Sequence, residues 1–343
     1  MSRKMHQFRT DSPIGAVIVA FNSADVILGC LDSLMALDGG APGIVVIDNA
    51  SADDTVTVLR DWARAGGVDL VEVAEGAPLG RAGADVVLIR SAVNRGFAGG
   101  VNIGLAALAG LPAIAHFWVL NPDAYADPGA GRAILAMAAQ VPGYGLMGGR
   151  VRYAEPPQRV QIDGGRINRW TGVTGNVNLG READAAPLPD GAGIDFVTGA
   201  NMIASRRFYE AVGPMREDYF LYYEEADWAL RRGDLPLVVA PGLVVFHHAG
   251  TAIGSPTLER LASPFSFWFK YRGRMLFMRR FNPAGLPVAM LYATAKALQL
   301  ALAGAWPQAT TILRAVWGLP APRSVRERLS PEAARIAFAR PRR

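Results

Sequence analysis

The segment Phe117-Trp118-Val119-Leu120-Asn121-Pro122-Asp123 places a carboxylate at the end of four consecutive apolar residues. The apolar run reads as a short strand buried on both faces. The proline holds the residue before it extended, so the chain cannot pass straight into a helix. Asp123 is thereby delivered to the carboxyl end of a core strand, where open α/β sheets bind ligands. With Asn121 it would offer hard oxygen ligands to a divalent cation that also holds phosphate. An Asx turn capping the next helix is the alternative. Three other groups have comparable potential: Asp48 ends the run GIVVID, Glu224, Glu225 and Asp227 share one stretch, and His247-His248 closes another apolar run. Carboxylates of this kind serve as proton acceptors, or simply as the acidic first turn of a helix.

The elements that must position these residues follow from periodicity. Residues 14–21 form a buried strand broken by Asn22-Ser23, and 24–37 has apolar residues at helical spacing. A second strand covers 43–48, and Ser51-Ala52-Asp53-Asp54 reads as a capping box for a helix to about residue 65. Apolar runs at 70–73 and 86–89 precede a glycine-rich stretch, 94–104, that leads into another helix. Such alternation predicts a mostly parallel sheet with helices on both faces. After Asp127-Pro128, a helix start, residues 145–198 read as hairpins and a long loop. A helix over about 206–212, an acid-bearing helix ending the stretch 219–232, and an apolar run at 237–246 turning at Pro241-Gly242 follow.

From residue 263 aromatic and apolar side chains alternate with Lys270, Arg272, Arg274, Arg279 and Arg280, and 286–306 is nearly all apolar. That length approaches the roughly 20 residues that span a bilayer. Lys296 and Gln299 oppose a full span, since Lys near a helix centre costs about 2.5–3.5 kcal/mol. The expectation is helices lying on a membrane or a partner, with the arginines facing lipid phosphates. A small helical bundle without lipid is the alternative.

The 343 residues predict a main domain with an appendage. Charged residues at 19% and apolar ones at 51% describe a packed protein. The +5 charge gathers at the amino end and beyond Arg260. Cys30, the lone cysteine, reads as a core residue. The basic first residues lack the apolar stretch of a secretory signal, so a cytoplasmic location is expected. No G-x-G-x-x-G follows the first strand and no G-x-x-x-x-G-K-[ST] occurs, which disfavours dinucleotide oxidoreductases and P-loop enzymes.

Taken together, VIVAFN (17–22), VIDNAS (46–51), NRGFAGGVNIG (94–104), LNPDA (120–124), TGANMIASRRFYEAVG (198–213), FLYYEEADWALR (220–231) and HHAGTAIG (247–254) resemble a family 2 glycosyltransferase of the GT-A fold. The similarity is to the rhamnosyltransferase-like branch of bacterial polysaccharide enzymes. The resemblance implies an α/β GT-A domain over 1–258, with a nucleotide-binding half at about 12–125 and an acceptor half at about 126–258. Residues 259–343 would be a helical extension. It further implies that Phe21, Asn22, Asp48, Asn94, Arg95, Gly96, Asn102, Asn121, Gly199 and Ala200 bind the nucleotide-sugar. Asp48 would accept from the ring N–H of a pyrimidine, Arg95 would reach base or diphosphate, and Asn102 would brace its loop. Gly96, Gly99 and Gly100 would let backbone approach the nucleotide, or else make a tight strand-to-helix connection. Asp123 would bind Mg²⁺ or Mn²⁺, with His247 preferred over His248 as second ligand.

Glu225 stands where the family's base is more usually Asp, and Glu224 or Asp227 could share that role. Asn121 replaces the first acid of the family's Asp-x-Asp, and Met215-Arg216 replace its Phe-Asp. The implied activity is metal-dependent, inverting transfer from a dTDP- or UDP-linked sugar to a glycan or lipid-linked acceptor. Peripheral membrane contact through the extension is part of this reading, and a nucleic-acid partner is not. A sugar-phosphate nucleotidyltransferase would want a basic glycine-rich loop where Phe21-Asn22-Ser23 stands. A non-catalytic assembly scaffold would not need Asp123, Glu225 and His247 together.

Overall fold

The computed structural model describes residues 12–79, 84–248 and 261–339. In the first half, strands alternate with helices: β1 (Ile14–Ala20), α1 (Ile27–Met35), β2 (Gly43–Asp48), α2 (Thr55–Gly66), β3 (Leu70–Val73), β4 (Val86–Arg90), α3 (Gly96–Ala109) and β5 (His116–Leu120). Next come β6 (Ala124–Ala126), α4 (Ala130–Gln140), β7 (Leu146–Tyr153), β8 (Val160–Ile162), β9 (Gly165–Ile167), β10 (Thr174–Asn176), β11 (Asn201–Ser205), α5 (Arg206–Val212), α6 (Glu224–Leu230) and β12 (Leu237–His247). The described C-terminal part holds α7 (Pro264–Phe281), α8 (Leu286–Leu302), α9 (Trp306–Val316), α10 (Arg323–Arg326) and α11 (Pro331–Ala337).

One sheet runs β3-β4-β2-β1-β5-β11-β7-β12-β6, with β8 paired to β7. The first five strands are mutually parallel, β11 is antiparallel to both its neighbours, and β7 and β12 are again parallel. Alternate residues of the central strands feed two cores. Val17 and Val19 face α3 and the C-terminal helices, whereas Ala16 and Ile18 face α1, α2 and α4. Both faces are therefore dry, which is why β1 and β2 carry continuous apolar sequence.

Several local expectations are corrected. The four residues 51–54 do not form a capping box: α2 starts at Thr55, and Asp54 makes no side-chain cap. Ser51 Oγ instead accepts the Asn22 N–H, and Asp53 accepts those of Ala24 and Thr55. The cluster thus staples the turn after β1 to the turn after β2. Pro241-Gly242 does not end a strand; β12 continues through it with a register shift between Val239 and Val244. Within 145–198, β7 belongs to the central sheet, while β9 and β10 form a separate hairpin. The apolar stretch 286–306 divides into α8 and the start of α9. Residues 249–254 of the HHAGTAIG motif, the expected domain limit at 258, and the basic amino end lie outside the described residues.

Three of the four arginines of α7 turn inward, against the expectation that they face lipid, and Arg279 is exposed. Arg272 donates to the Asp218 carbonyl, Arg274 to Tyr223 Oη, and Arg280 pairs with Asp218. Apolar side chains surround most of α7, and the helix is buried accordingly.

Candidate active site

Parallel register brings the carboxyl ends of β1, β2, β4 and β5 to one rim. Ala20 lies opposite Asp48, Asp48 opposite Arg90, and Ile18 opposite Leu120. Just past these ends, Asn49 organises the loop before α3. Its Nδ2 donates to Asn94 Oδ1 (3.2 Å) and the Gly96 carbonyl (2.9 Å), and its Oδ1 accepts the Arg95 N–H (3.0 Å). Gly96 has φ +72°, and an added Cβ would collide with the Phe220 carbonyl. That carbonyl also accepts the Phe97 N–H at 2.8 Å, so the loop is locked to the segment leading into α6. Two further glycines of α3 serve its packing. A Cβ on Gly100 or Gly104 would strike Val19 or Val17, which lets α3 lie directly on β1.

A second cluster forms where β6 pairs antiparallel with β12, placing His247 opposite Ala124. Asp123 Oδ1 then lies 3.0 Å from His247 Nε2. Gln161 Oε1, on β8, lies 2.7 Å from His247 Nδ1, and Asn121 Nδ2 lies 3.1 Å from Nε2. An amide oxygen at Nδ1 requires the proton there, and an amide NH₂ at Nε2 requires a lone pair there. His247 Nε2 and Asp123 Oδ1 thus face one position as a nitrogen–oxygen donor pair. The donor set suits a hard or borderline divalent ion, with Gln161 fixing the tautomer. Among the described residues no cluster of three His, Cys, Asp or Glu side chains forms, so remaining ligands would come from diphosphate and water. His248 is differently placed: its N–H donates to the Asp123 carbonyl and its side chain is exposed.

The third cluster is the start of α6. Phe220, Tyr222 and Tyr223 all have positive φ (68°, 65° and 76°), a conformation costing roughly 1–2 kcal/mol per residue. The strain is held by α7. Tyr222 Oη meets Ser266 Oγ at 2.6 Å, Arg274 Nε donates to Tyr223 Oη at 3.0 Å, and Tyr223 Oη donates to the Gly172 carbonyl at 2.7 Å. Gly273 leaves room for the Tyr222 carbonyl, which a Cβ would approach to 2.8 Å. This contorted backbone presents Glu225 to the cavity.

Burial pushes the Glu225 carboxyl up, while backbone N–H groups and the Lys270 ammonium pull it back. Burial, with help from Arg274, lowers Lys270 to about 8, and Glu225 opposes that shift. Glu224 is buried, its Oε2 has no partner, and burial together with the Glu225 charge holds its carboxyl well above the usual range.

One cleft of about 600 Å³ is lined by Phe21, Asn49, Asn94, Asp123, His247 and Glu225. Gly96, Asn121, Gln161 and Lys270 line it as well. Other expected site residues do not line it. Asp48 is buried, accepting the Ser51 N–H, and Arg95 pairs with Glu75 at 2.9 Å. Asn22 accepts the Ala52 N–H, and Asn102 joins α3 to Met215 and Glu217. Gly199 packs against the Phe97 ring, and the lining passes through Thr198 rather than Gly199 or Ala200.

Asp227 is corrected as a candidate base. It is fully buried, accepting from Arg216 (3.0 Å), Tyr219 (2.9 Å) and Arg231 (2.8 Å), so its oxygens are committed to holding the fold. Glu224 does not line the cleft either. Asn49, Gln161 and Lys270 were missed by sequence reading. Only Asn49 had a signal, its place in VIDNAS beside the Asp48 strand end.

Residues 16–161 match the family model described as Glycosyl transferase family 2. A comparison with curated proteins found no match. Among solved structures, the chain is similar to GalNAc-T7 crystallised with UDP, GalNAc and Mn²⁺ (TM-score 0.55, 12% identity), over 83% of this chain and 50% of that one. It therefore spans about half the length of that relative. It is also similar to the mannosyltransferase PcManGT from Pyrobaculum calidifontis in complex with GDP-Man and Mn²⁺ (TM-score 0.51, 16% identity), over 96% of this chain and 87% of that one. At such identities the likeness speaks for the fold. Residues 16–161 thus match the family 2 model within a chain that has a GT-A fold, to which a C-terminal helical region is joined.

Proposed function

We propose that the protein is an inverting, divalent-cation-dependent glycosyltransferase. It moves rhamnose or a hexose from a dTDP- or UDP-linked donor to a glycan or lipid-linked acceptor, in cell-surface polysaccharide synthesis at the cytoplasmic face of the membrane. The observation that carries this reading is the shared cleft: the Asp123–His247 pair and the Glu225 carboxylate line the same cavity. The two structural relatives were solved with nucleotide or nucleotide-sugar and Mn²⁺, which supports the donor class and the ion.

Phe21, Asn49 and the Asn94–Gly96 loop bind the nucleotide at the strand ends. Asp123 and His247 hold Mg²⁺ or Mn²⁺, which supplies charge neutralisation at the diphosphate. Gln161 keeps the His247 lone pair directed at that position. Glu225 takes the proton of the acceptor hydroxyl as its oxygen bonds to the anomeric carbon. The bond from that carbon to the diphosphate breaks in the same displacement, and the nucleoside diphosphate departs with inversion. Burial raises the Glu225 carboxyl, which makes it a stronger base than an exposed glutamate, and the Lys270 ammonium favours its charged form.

A donor panel with Mn²⁺, reading released nucleoside diphosphate with and without glycan acceptors, tests this. One dTDP- or UDP-sugar should turn over in an acceptor-dependent way, and Asp123→Ala and Glu225→Gln should abolish it without unfolding the chain. Unchanged turnover in both variants would remove the mechanism.

A further inference from the structure

The outer side of α8 carries larger apolar residues than much of its inner side. The fully buried residues of α8 are Ala289, Ala293 and Ala297, with Leu300, all 5% exposed or less, while Leu286 and Met290 pack partly against the same core. On the outer side Leu291 is 70% exposed, Leu298 61% and Leu302 82%. Trp306 (63%) and Trp317 (58%) of the adjoining α9 region extend this apolar exposure. A helix that shows leucines to water and keeps alanines inside is missing an apolar partner on its outer face.

Charge selects the partner. From Arg260 to Arg326 the chain has ten Lys or Arg and no Asp or Glu. Arg272, Arg274 and Arg280 are spent inside and Arg323 pairs with Glu327, but Arg279 and Arg326 are exposed, and Lys296 and Arg314 are half-buried on these two helices. A protein partner would need an apolar groove with an acidic rim, and a second copy would bring the same positive field against itself. An anionic bilayer surface satisfies apolar residues, interfacial tryptophans and cations together.

The geometry points to an interfacial docking face for an anionic lipid leaflet, with the outer side of α8 and the α9 tryptophans seated at the headgroup boundary. The 20 residues Pro283–Leu302 are long and apolar enough to cross a membrane. Spanning would strip Ala289, Ala293 and Ala297 from the helices they pack against, so the helix lies on the surface. This inference goes beyond the proposed transfer reaction and stands without it.

The test is flotation of the full-length protein with phosphatidylglycerol/phosphatidylcholine vesicles and with phosphatidylcholine alone. Binding to the anionic vesicles should be at least about tenfold tighter and should weaken in high salt. Leu298→Glu/Leu302→Glu, at positions that make no core contact, should weaken it about tenfold with unchanged circular dichroism. Alkaline carbonate should release the bound protein. Failure to bind anionic vesicles, equal binding to neutral ones, or unaltered binding by the double variant would overturn the proposal. Resistance to carbonate would replace it with a span. A dimer that the double variant dissociates, without lipid binding, would replace it with an interface between copies. Because these positions lie away from the cleft, transfer to a water-soluble acceptor should be unaltered in the same variant.

Discussion

Replacing Lys270 with Met removes the ammonium that shares the cleft with Glu225 while keeping similar side-chain bulk. In the wild-type protein two opposing influences set the Glu225 carboxyl: burial raises it, and backbone N–H groups with the Lys270 charge lower it. An opposite charge within about 4–6 Å is worth about one to three pH units. No ion pair joins the two among the described residues, and Arg274 already disfavours the charged lysine, so the lower end applies. The acid limb of kcat/KM should therefore move up by about one pH unit in Lys270→Met. Below the limb, activity should fall about tenfold, since one unit corresponds to about 1.4 kcal/mol. Above it, activity should match wild type, and Lys270→Arg should restore the wild-type limb. The assay is nucleoside diphosphate release at subsaturating acceptor across the pH range. A limb that stays in place while KM for the acceptor rises at every pH would refute the reasoning, and would make Lys270 an acceptor-binding group.

Gln161→Leu should weaken Mn²⁺ binding about 10–100-fold by titration calorimetry, because His247 would no longer be held in the tautomer that aims a lone pair at Asp123. Gly96→Ala should cost at least about 2 kcal/mol in chemical unfolding, combining a left-handed alanine with a clash against the Phe220 carbonyl. Asp227→Asn should destabilise by about 3 kcal/mol, because Arg216, Arg231 and Arg280 would converge on a neutral amide. Arg216 is partly exposed, so the loss falls at the low end for a broken buried network. Measured by urea unfolding, that loss should exceed the one caused by Glu225→Gln.

The sheet was legible because β1, β2, β4 and β5 are continuous apolar runs, each followed by a polar break, and their order on the rim follows from right-handed crossovers. Asp123 and His247 were legible as strand-end residues. Their supporting Gln161 was not, since it sits 86 residues before the histidine on a three-residue strand. The stretch 219–232 reads as ending in an acid-bearing helix, and before α6 begins Phe220, Tyr222 and Tyr223 take positive φ. Nothing local signals this, because the conformation is imposed by Ser266, Gly273 and Arg274 of α7. The same long-range pairing explains why the arginines of α7 looked like a lipid-facing set. Side-chain type shows that a cation is present, and only tertiary structure shows that its partners are Asp218, Tyr223 and Asp227.

The hydrogen bond from the Phe97 amide to the Phe220 carbonyl has a mechanical consequence. The first turn of α3 and the backbone approaching Glu225 are fastened to one another, with Gly96 pressed into the join. Neither can swing aside alone. In the proposed reaction, a sugar donor settling against the Asn94 loop would meet a carboxylate carried on backbone tied to that same loop.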